Sequence, residues 1–295
     1  MLSEVTNTDY ENEIKSQGDT VRIRTTSAMN IRAYEIGQNL QYEVPTPIYQ
    51  DMQINKGMYY GVKVADLLQK QADLELMNMF TEEAAKQLKI SIEEEVFFNS
   101  FVTEGPASAN EGATAGALSA AYNLGSDVTP VDQATPANVL NAILRMSSVL
   151  DEQNVPEDGR YLILTPYDRH LLMQSNIAQA YFTGDASSTI RTGKIGMLDR
   201  FTVYVSNLLP RGEAGKALVP ARTATSTGAA VTNAKARRIM VAGTKHAISF
   251  AAQMNKTEPM RDPTDFGDIM RRLTVYGRKV IKPEALAVAI VGSAT

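Results

Sequence analysis

From Gly18 to Val64 the sequence alternates apolar with polar residues at the period of a β-strand, yet it supplies almost nothing to bury. Val21-Arg22-Ile23-Arg24 sets the habit, and Asn30 to Tyr34 and Leu40 to Val44 repeat it. Gly37, Pro45, Pro47, Gly57 and Gly61 punctuate the stretch, all residues of turns or strand edges. A two-stranded ribbon is marginal in water unless it lies on something else. Continuously extended, Val21 to Ile36 would span roughly 50 Å at about 3.3 Å per residue. Residues 18–64 are therefore expected to lie across another chain.

At Asp66 the pattern changes. Asp66 suits an N-cap with Gln69 three residues on, and no glycine or proline follows until Gly105-Pro106. Leu68, Ala72, Leu76, Phe80, Ala84, Leu88, Ile92 and Val96 recur every four residues, a stripe that winds slowly round a helix. One helix from Asp66 to about Phe101 is expected, roughly 50 Å long at about 1.5 Å per residue. Thr103 to Gln133, rich in Ala, Gly, Ser and Asn, reads as a long, poorly packed surface loop. Thr135 then caps a second helix with Pro136 at its first position and Val139, Ala142, Ile143, Met146, Val149 and Leu150 on one face. Tyr161 to Leu164 reads as a buried strand, and Thr165-Pro166 opens a third helix through Met173 with Asp168 at its third position.

Gly193-Lys194-Ile195-Gly196 reads as a loop leading to a strand from Phe201 to Val205, and Pro210 to Ala236 is a second small-residue insertion. Further strands are expected at Ile239 to Ala242, Ala247 to Ala251, Ile269 to Val280 and Leu286 to Val291. The fold class is α+β, with sheets and helices segregated.

A hydrophobic fraction of 44% and a charged fraction of 21% over 295 residues belong to a globular protein. The net charge of -4 gives no global basic field for nucleic acid. The longest apolar run, Ala285 to Val291, falls far short of the roughly 20 residues that cross a bilayer, and the polar opening Met1 to Tyr10 is no signal peptide. A soluble protein made in the cytoplasm and not bound to membrane is expected.

A search for chemistry returns nothing specific. There is no cysteine, so thiolate nucleophiles, thiolate metal sites and disulfides are excluded. The two histidines, His170 and His246, stand far apart with no paired spacing. Gly193-Lys194-Ile195-Gly196 lacks phosphate-loop spacing and the hydroxyl that follows the lysine in such loops. Glu93-Glu94-Glu95 points three ways on a helix, and Asp9, Glu11 and Glu13 lack the glycine turn and bidentate glutamate of a calcium loop. Arg237-Arg238 and Arg271-Arg272 are assigned to salt bridges. No catalytic, cofactor-binding or metal residue is assigned, and the chain is expected not to be an enzyme.

The order of elements resembles the major capsid proteins of tailed bacteriophages. Asp9-Tyr10-Glu11-Asn12-Glu13-Ile14 followed by Gly18-Asp19-Thr20-Val21-Arg22-Ile23 is similar to that family's opening. Arg160 to Pro166 is similar to its axial strand and helix, and Gly193 to Gly196 with Phe201 to Asn207 to its "glycine, strand, Ser-Asn" passage. Phe266, Asp268, Val275-Tyr276-Gly277 and Lys282 to Leu286 match its ending. The likeness covers nearly the whole chain, and the order of these pieces is its specific part.

The resemblance implies the capsid fold shared with herpesvirus floor domains and encapsulins. Residues 1–17 would be the remnant of an N-terminal arm and 18–65 an extended β-hairpin loop. Residues 66–134 and 248–295 would form a peripheral domain with a long spine helix, and 135–247 an axial domain. It implies self-assembly into hexamers and pentamers of an icosahedral head around double-stranded DNA, held only by proximity. Scaffolding, portal and decoration proteins would be partners, and the virion the final location. Arg22, Arg24, Arg32, Tyr34, Glu35, Arg261, Asp262, Asp265 and Arg271 would make contacts between subunits, with Gly18, Gly57 and Gly61 as hinges. The alternatives are an encapsulin-like compartment shell and, from another class, a zinc or calcium hydrolase built on His170, His246 and acids.

Overall fold

The computed structural model describes residues 1–12, 19–25, 29–44, 46–71, 75–133, 135–174, 196–213, 217–222 and 236–292. Gly18, Ala72 and the Gly193-Lys194-Ile195 passage lie outside them. In chain order the elements are α1 (Leu2–Val5), β1 (Thr20–Thr25), β2 (Ile48–Gln53), β3 (Lys56–Ala65), α2 (Asp66–Gln71) and α3 (Leu76–Phe98). Then follow β4 (Val131–Asp132), α4 (Pro136–Glu152), β5 (Arg160–Leu164), α5 (Pro166–Met173), β6 (Met197–Leu198) and β7 (Phe201–Val205). The chain continues with β8 (Arg211–Glu213), β9 (Ala236–Thr244), β10 (Ile248–Arg261), β11 (Gly267–Val280) and β12 (Leu286–Gly292). Helices and sheets are segregated, as the α+β reading requires.

The largest sheet runs β4-β12-β9-β5-β7-β6, with β8 on β9. Its central strands carry apolar runs, 161–164 in β5, 239–242 in β9 and 286–291 in β12, because both faces are covered, and every residue of β5, Arg160 included, is buried. The expected face of α4 packs into the same core: Val139, Ala142, Ile143, Met146, Val149 and Leu150 are all buried there. Pro136 stands at the start of α4, but Thr135 makes no side-chain bond to cap it. Thr165 does cap α5. It accepts from the Asp168 backbone N–H at 3.3 Å and donates its hydroxyl to the Asp168 carboxylate at 2.5 Å.

The expected single helix from Asp66 to Phe101 is two, α2 and α3, with Glu75 at the N-cap of α3 and a π turn, Asn99–Thr103, after its end. Asp66 begins α2, and its carboxylate is taken by Arg261. The winding stripe is covered mainly toward its end: Leu88, Ile92 and Val96 are buried, Leu76 and Ala84 half-buried, and Leu68 and Phe80 exposed.

Residues 103–133 are irregular but not loosely packed. Ala115 and Leu124 are fully buried, and the buried Asn110 amide donates to the backbone oxygens of Glu284 and Leu286. Gly125, at φ +81°, lets the segment close on β12, since a β-carbon there would fall 2.2 Å from the Ile290 oxygen. Backbone hydrogen bonds and close approach replace the bulky side chains whose absence suggests a surface loop.

The second sheet is antiparallel, in the order β10-β11-β3. One face packs on α3, where Met58, Tyr60, Phe250, Ala252 and Tyr276 meet Leu88, Ile92 and Val96. The opposite face carries Ala251 and Val275, and there the β1–β2 pair settles with Val21, Ile23, Met52 and Ile54. β10 extends to Arg261, ten residues past the expected strand end at Ala251. Its outer half is polar and exposed, so no hydrophobic pattern announces it.

The expectation that all of residues 18–64 must lie on another chain is corrected accordingly. β1 and β2 pair with each other and bury one face on the chain's own body, and β3 is a full partner of β11. Gly57 and Gly61, expected as hinges, stand inside β3. What remains uncovered is residues 29–44, every one of them exposed, and no strand forms among them.

Candidate assembly surface

The β1–β2 register places Arg22 opposite Asp51 and Arg24 opposite Tyr49. Arg22 Nε lies 3.1 Å from the Asp51 carboxylate. The Arg22 and Arg24 guanidinium carbons lie 5.6 and 5.9 Å from the Tyr49 ring centroid, so one ring faces two cations. These groups are exposed, and the period of two puts them on the side of the ribbon away from Val21 and Ile23.

Among the described residues 29–44 of the ribbon no strand ladder forms. Its arms touch through side chains: the Asn30 amide donates to Glu43 at 3.3 Å, and Arg32 donates to Gln41. At the apex, the Glu35 backbone N–H donates to Gln38, and Gly37 takes φ +91°. The arms are apolar as well as bare. Ile31 and Ile36 are each 99% exposed, and Tyr34, Leu40, Tyr42 and Val44 are exposed beside them. So large an undischarged apolar surface on an otherwise well-packed chain marks an interaction site.

A second cluster lies at the turn from β10 to β11. Arg261 Nη1 is 3.0 Å from Asp66 and 3.1 Å from Asp268, while Lys63 Nζ reaches Asp265 at 3.0 Å and also pairs with Asp262. Lys63 first, and then the Thr264 backbone and hydroxyl, holds the Asp262 carboxyl well below the ordinary carboxylate range. Four aspartates share two cations, so this tip is net negative, and Phe266 projects from it at 79% exposure. Arg261, Asp262 and Asp265, expected together as contact residues, are thus brought together. Arg271 stands further along the sheet, with Glu258 at 2.6 Å. Lys63 and Glu258 carry no signal in the sequence, and Asp66 and Asp268 none for this cluster, because the strand register and the start of α2 make them neighbours.

Arg237 and Arg238, also expected in salt bridges, are spent within the chain, whereas Arg272 forms no ion pair among the described residues. Arg238 Nη2 lies 3.0 Å from Asp168 and its guanidinium sits 4.5 Å from the Tyr167 ring, while Arg237 faces Asp127 at 3.5 Å. Among the described residues no group of three His, Cys, Asp or Glu side chains is placed to hold a metal. Among the described residues, too, no helix is long and apolar enough to cross a membrane.

Residues 52–289 match the family described as phage capsid protein. No curated protein sequence is detectably similar. Among solved structures, a Mycobacterium phage Che8 chain superposes with a TM-score of 0.69 at 20% identity, covering 98% of this chain and 90% of that one. A capsid chain of the cyanophage P-SCSP1u gives 0.67 at 14% identity over 95% and 85%. A chain of the bacteriophage PhiM1 mature capsid gives 0.62 at 15% over 98% and 88%. The capsid fold is thereby shared along nearly the whole length, and the matched residues 52–289 run from the end of β2 through β3 and α3 into the seven-stranded sheet. The chain belongs to the phage capsid protein family and is a major capsid protein, a building block of a phage head shell.

Proposed function

We propose that this chain holds its shell together by laying residues 29–44 across a neighbouring copy. The observation that carries the reading is the contrast along one ribbon: a base buried on the chain's own sheet, and arms exposed at every residue. A shell subunit makes many weak contacts at once, and each gains effective concentration from the others. Arms held ready by an anchored base lose less entropy on docking than a free tail.

In this reading copies form pentamers and hexamers of an icosahedral head around double-stranded DNA. Residues 1–17 belong to the N-terminal arm, 66–134 and 248–295 to the peripheral domain, and 135–247 to the axial domain that meets its copies at the ring centre. The anchored base narrows the extended loop of residues 18–65 to its arms. Arg32, Tyr34 and Glu35 act on those arms, Arg22 and Arg24 at their base, and the Arg261, Asp262 and Asp265 tip and Arg271 form further contacts. Scaffolding, portal and decoration proteins are the further partners. The chain is made in the host cytoplasm and works in the virion mechanically, without catalysis. An excess of acids over bases, 33 against 29, suits a wall that packaged DNA must slide past.

Electron microscopy of the expressed chain beside a variant with residues 31–42 replaced by a short Gly-Ser turn tests this. The parent is expected to form large closed shells and the variant to stay as folded, unassembled subunits. Normal shells from the variant would overturn the ribbon's role, and small shells enclosing a protein cargo would make the chain a compartment rather than a head.

A further inference from the structure

Two neighbouring carboxylates on α3 hold different sheets. The Tyr276 hydroxyl donates to Glu95 at 3.1 Å and Arg278 donates to it at 3.4 Å, both from β11 of the three-stranded sheet. Glu94, one residue earlier, faces elsewhere. It is only 8% exposed, and it accepts the Arg222 backbone N–H at 2.5 Å. About one turn back along α3, the Ser91 hydroxyl oxygen accepts from Arg222 Nη1 at 2.8 Å. Arg222 closes the described stretch 217–222, which is strapped to the seven-stranded sheet. Val219 and Arg211 of β8 exchange backbone hydrogen bonds at 2.9 and 3.1 Å, and Leu218 packs into that sheet's core. Glu94 reaches β8 as well: burial first, and then Arg238, lowers the Arg211 guanidinium pKa, and Glu94 works in the opposite direction.

The rest of the joint between the sheets is open or undirected. The chain crosses from one sheet to the other at 245–247 and again at 281–285. The two crossings touch through the Ala247 oxygen, which accepts the Ile281 and Lys282 N–H groups at 2.8 and 3.2 Å. Between these crossings and the 153–159 turn lies an open cleft of about 440 Å³, so packing does not lock the joint on that side. Phe97 and Phe101, at the end of α3, sink into the core of the seven-stranded sheet. Such burial grips the helix end without fixing its direction. The π turn Asn99–Thr103 lies there too, an irregularity at which helices kink.

Resting on the reading of the chain as a shell subunit, we propose that Glu94 is a positioning residue for assembly: with Ser91 it fixes Arg222, and thereby the angle between the two sheets that sets the curvature of the shell. Hydrogen bonds are directional where apolar packing is not. A carboxylate that accepts a backbone N–H away from water makes one of the stronger kinds. Closure repeats one contact angle around the whole shell, so a subunit that wavers at its joint gives shells of mixed size. The tie also accounts for adjacent carboxylates on α3. Consecutive helical residues point apart, and here each of the two reaches a different sheet.

Electron microscopy of particles assembled from Glu94→Ala chains tests the tie. The spread of their diameters is expected to rise about twofold or more, with open or spiral pieces among them, because closure no longer has a single angle to repeat. Circular dichroism of the subunit should stay that of the parent. Val139→Ala, at a core position of α4, is the control for stability alone. It should lower the melting temperature and leave the diameters as they are. Where Glu94→Ala yields no soluble subunit, Arg222→Ala decides, since Arg222 is exposed and loses its bond to Ser91 while its own N–H remains. A spread equal to the parent's from the deciding variant overturns the proposal. So does equal broadening from Val139→Ala, which would make diameter a readout of stability. A parent that forms no shell removes the shell reading and this proposal together, whereas uniform shells from parent and variant alike remove the tie and leave that reading standing.

Discussion

The backbone oxygen of Gln53 sits 2.6 Å from where a β-carbon on Gly277 would lie, and Ile54 Cγ1 lies 2.9 Å from that same point. This closeness lets the end of β2 settle on β11, and it makes the sheet rather than the ribbon's own pairing responsible for holding the base. The Lys279 ammonium, donating to the Asp51 oxygen at 3.0 Å, and the Gln50 amide, donating to the Ile281 oxygen at 3.3 Å, secure the same seam.

Gly277→Val should therefore pry the ribbon base from the body. Overpacking a closed contact typically costs about 1–3 kcal/mol. The expected result is a chain that still folds, melts at lower temperature, and becomes sensitive to protease between Thr25 and Ile48. Thermal denaturation with limited proteolysis reads both effects; unchanged cleavage would show that the base does not depend on this approach.

The two ends of the long stripe should answer differently to one substitution. Leu88 is only 8% exposed and packs with Phe250 and Tyr276, whereas Leu76, in the first turn of α3, is half-buried. Leu88→Asp buries an unpaired carboxylate, and a cost of several kcal/mol should leave little soluble protein. Leu76→Asp should give soluble, folded subunits. Expression yield and circular dichroism separate them, and equal loss from both would mean that the first turns of α3 are as tightly held as the last.

That contrast shows where sequence patterning succeeds. The apolar spacing of α4, the Thr165–Asp168 cap of α5 and the continuous runs of β5 and β12 all reflect burial against the chain's own core, and each folds as its pattern dictates. The spacing of Leu68 and Phe80 is equally regular, yet they lie in the open, because periodicity records that a residue is to be covered and not by which chain. The outer half of β10 is hidden for the opposite reason: its pairing with β11 rests on backbone hydrogen bonds, which Met254 to Arg261 supply whatever their polarity, Pro259 through its carbonyl alone. The charged tip falls between these cases. Arg261, Asp262 and Asp265 follow from the resemblance, but Lys63 is some two hundred residues away and only the β3–β11 register brings it there.

Acid should loosen that tip. Pairing with Lys63 lowers the carboxyl pKa of Asp262 and, in the same direction, of Asp265. A carboxylate with a depressed folded pKa stabilises above its unfolded pKa, about 3.9, and that contribution is lost as pH falls through the folded value. Lys63→Met removes the cause. The parent's melting temperature should fall more steeply than the variant's as pH drops from about 5 toward 2, and parallel curves would show that the tip does not report on acid stability.

Arg278 ties α3 to β11 beside Tyr276, whose hydroxyl donates to Glu95 at 3.1 Å. Arg278 lies 3.4 Å from Glu95 and 2.7 Å from Glu104, which also accepts the Val280 backbone N–H at 2.7 Å. Its guanidinium is largely buried, whereas Glu104 is partly open to water, so the cost of Arg278→Met falls below the roughly 3–5 kcal/mol of breaking a buried pair. About 2 kcal/mol is expected. Adding Glu95→Gln should recover part of it by removing one stranded charge, a coupling that a double-mutant cycle in urea would measure directly.

Charge reversal on the ribbon separates its base from its arms. Arg22→Glu with Arg24→Glu sets one like charge opposite Asp51 and strips Tyr49 of both cations, so the base itself should fray. The pairs are exposed, and each contributes at most about 1 kcal/mol, so the body of the subunit should keep its melting temperature to within a few degrees. Arg32→Glu touches only the arms, where the lost partner is the neutral Gln41. It should leave both body and base unchanged and weaken assembly alone, read as a higher protein concentration needed for half-maximal shell formation. Equal assembly by the Arg32→Glu chain and the parent, with the double variant defective, would place the ribbon's work in its base and leave the exposed arms without a charge-dependent role.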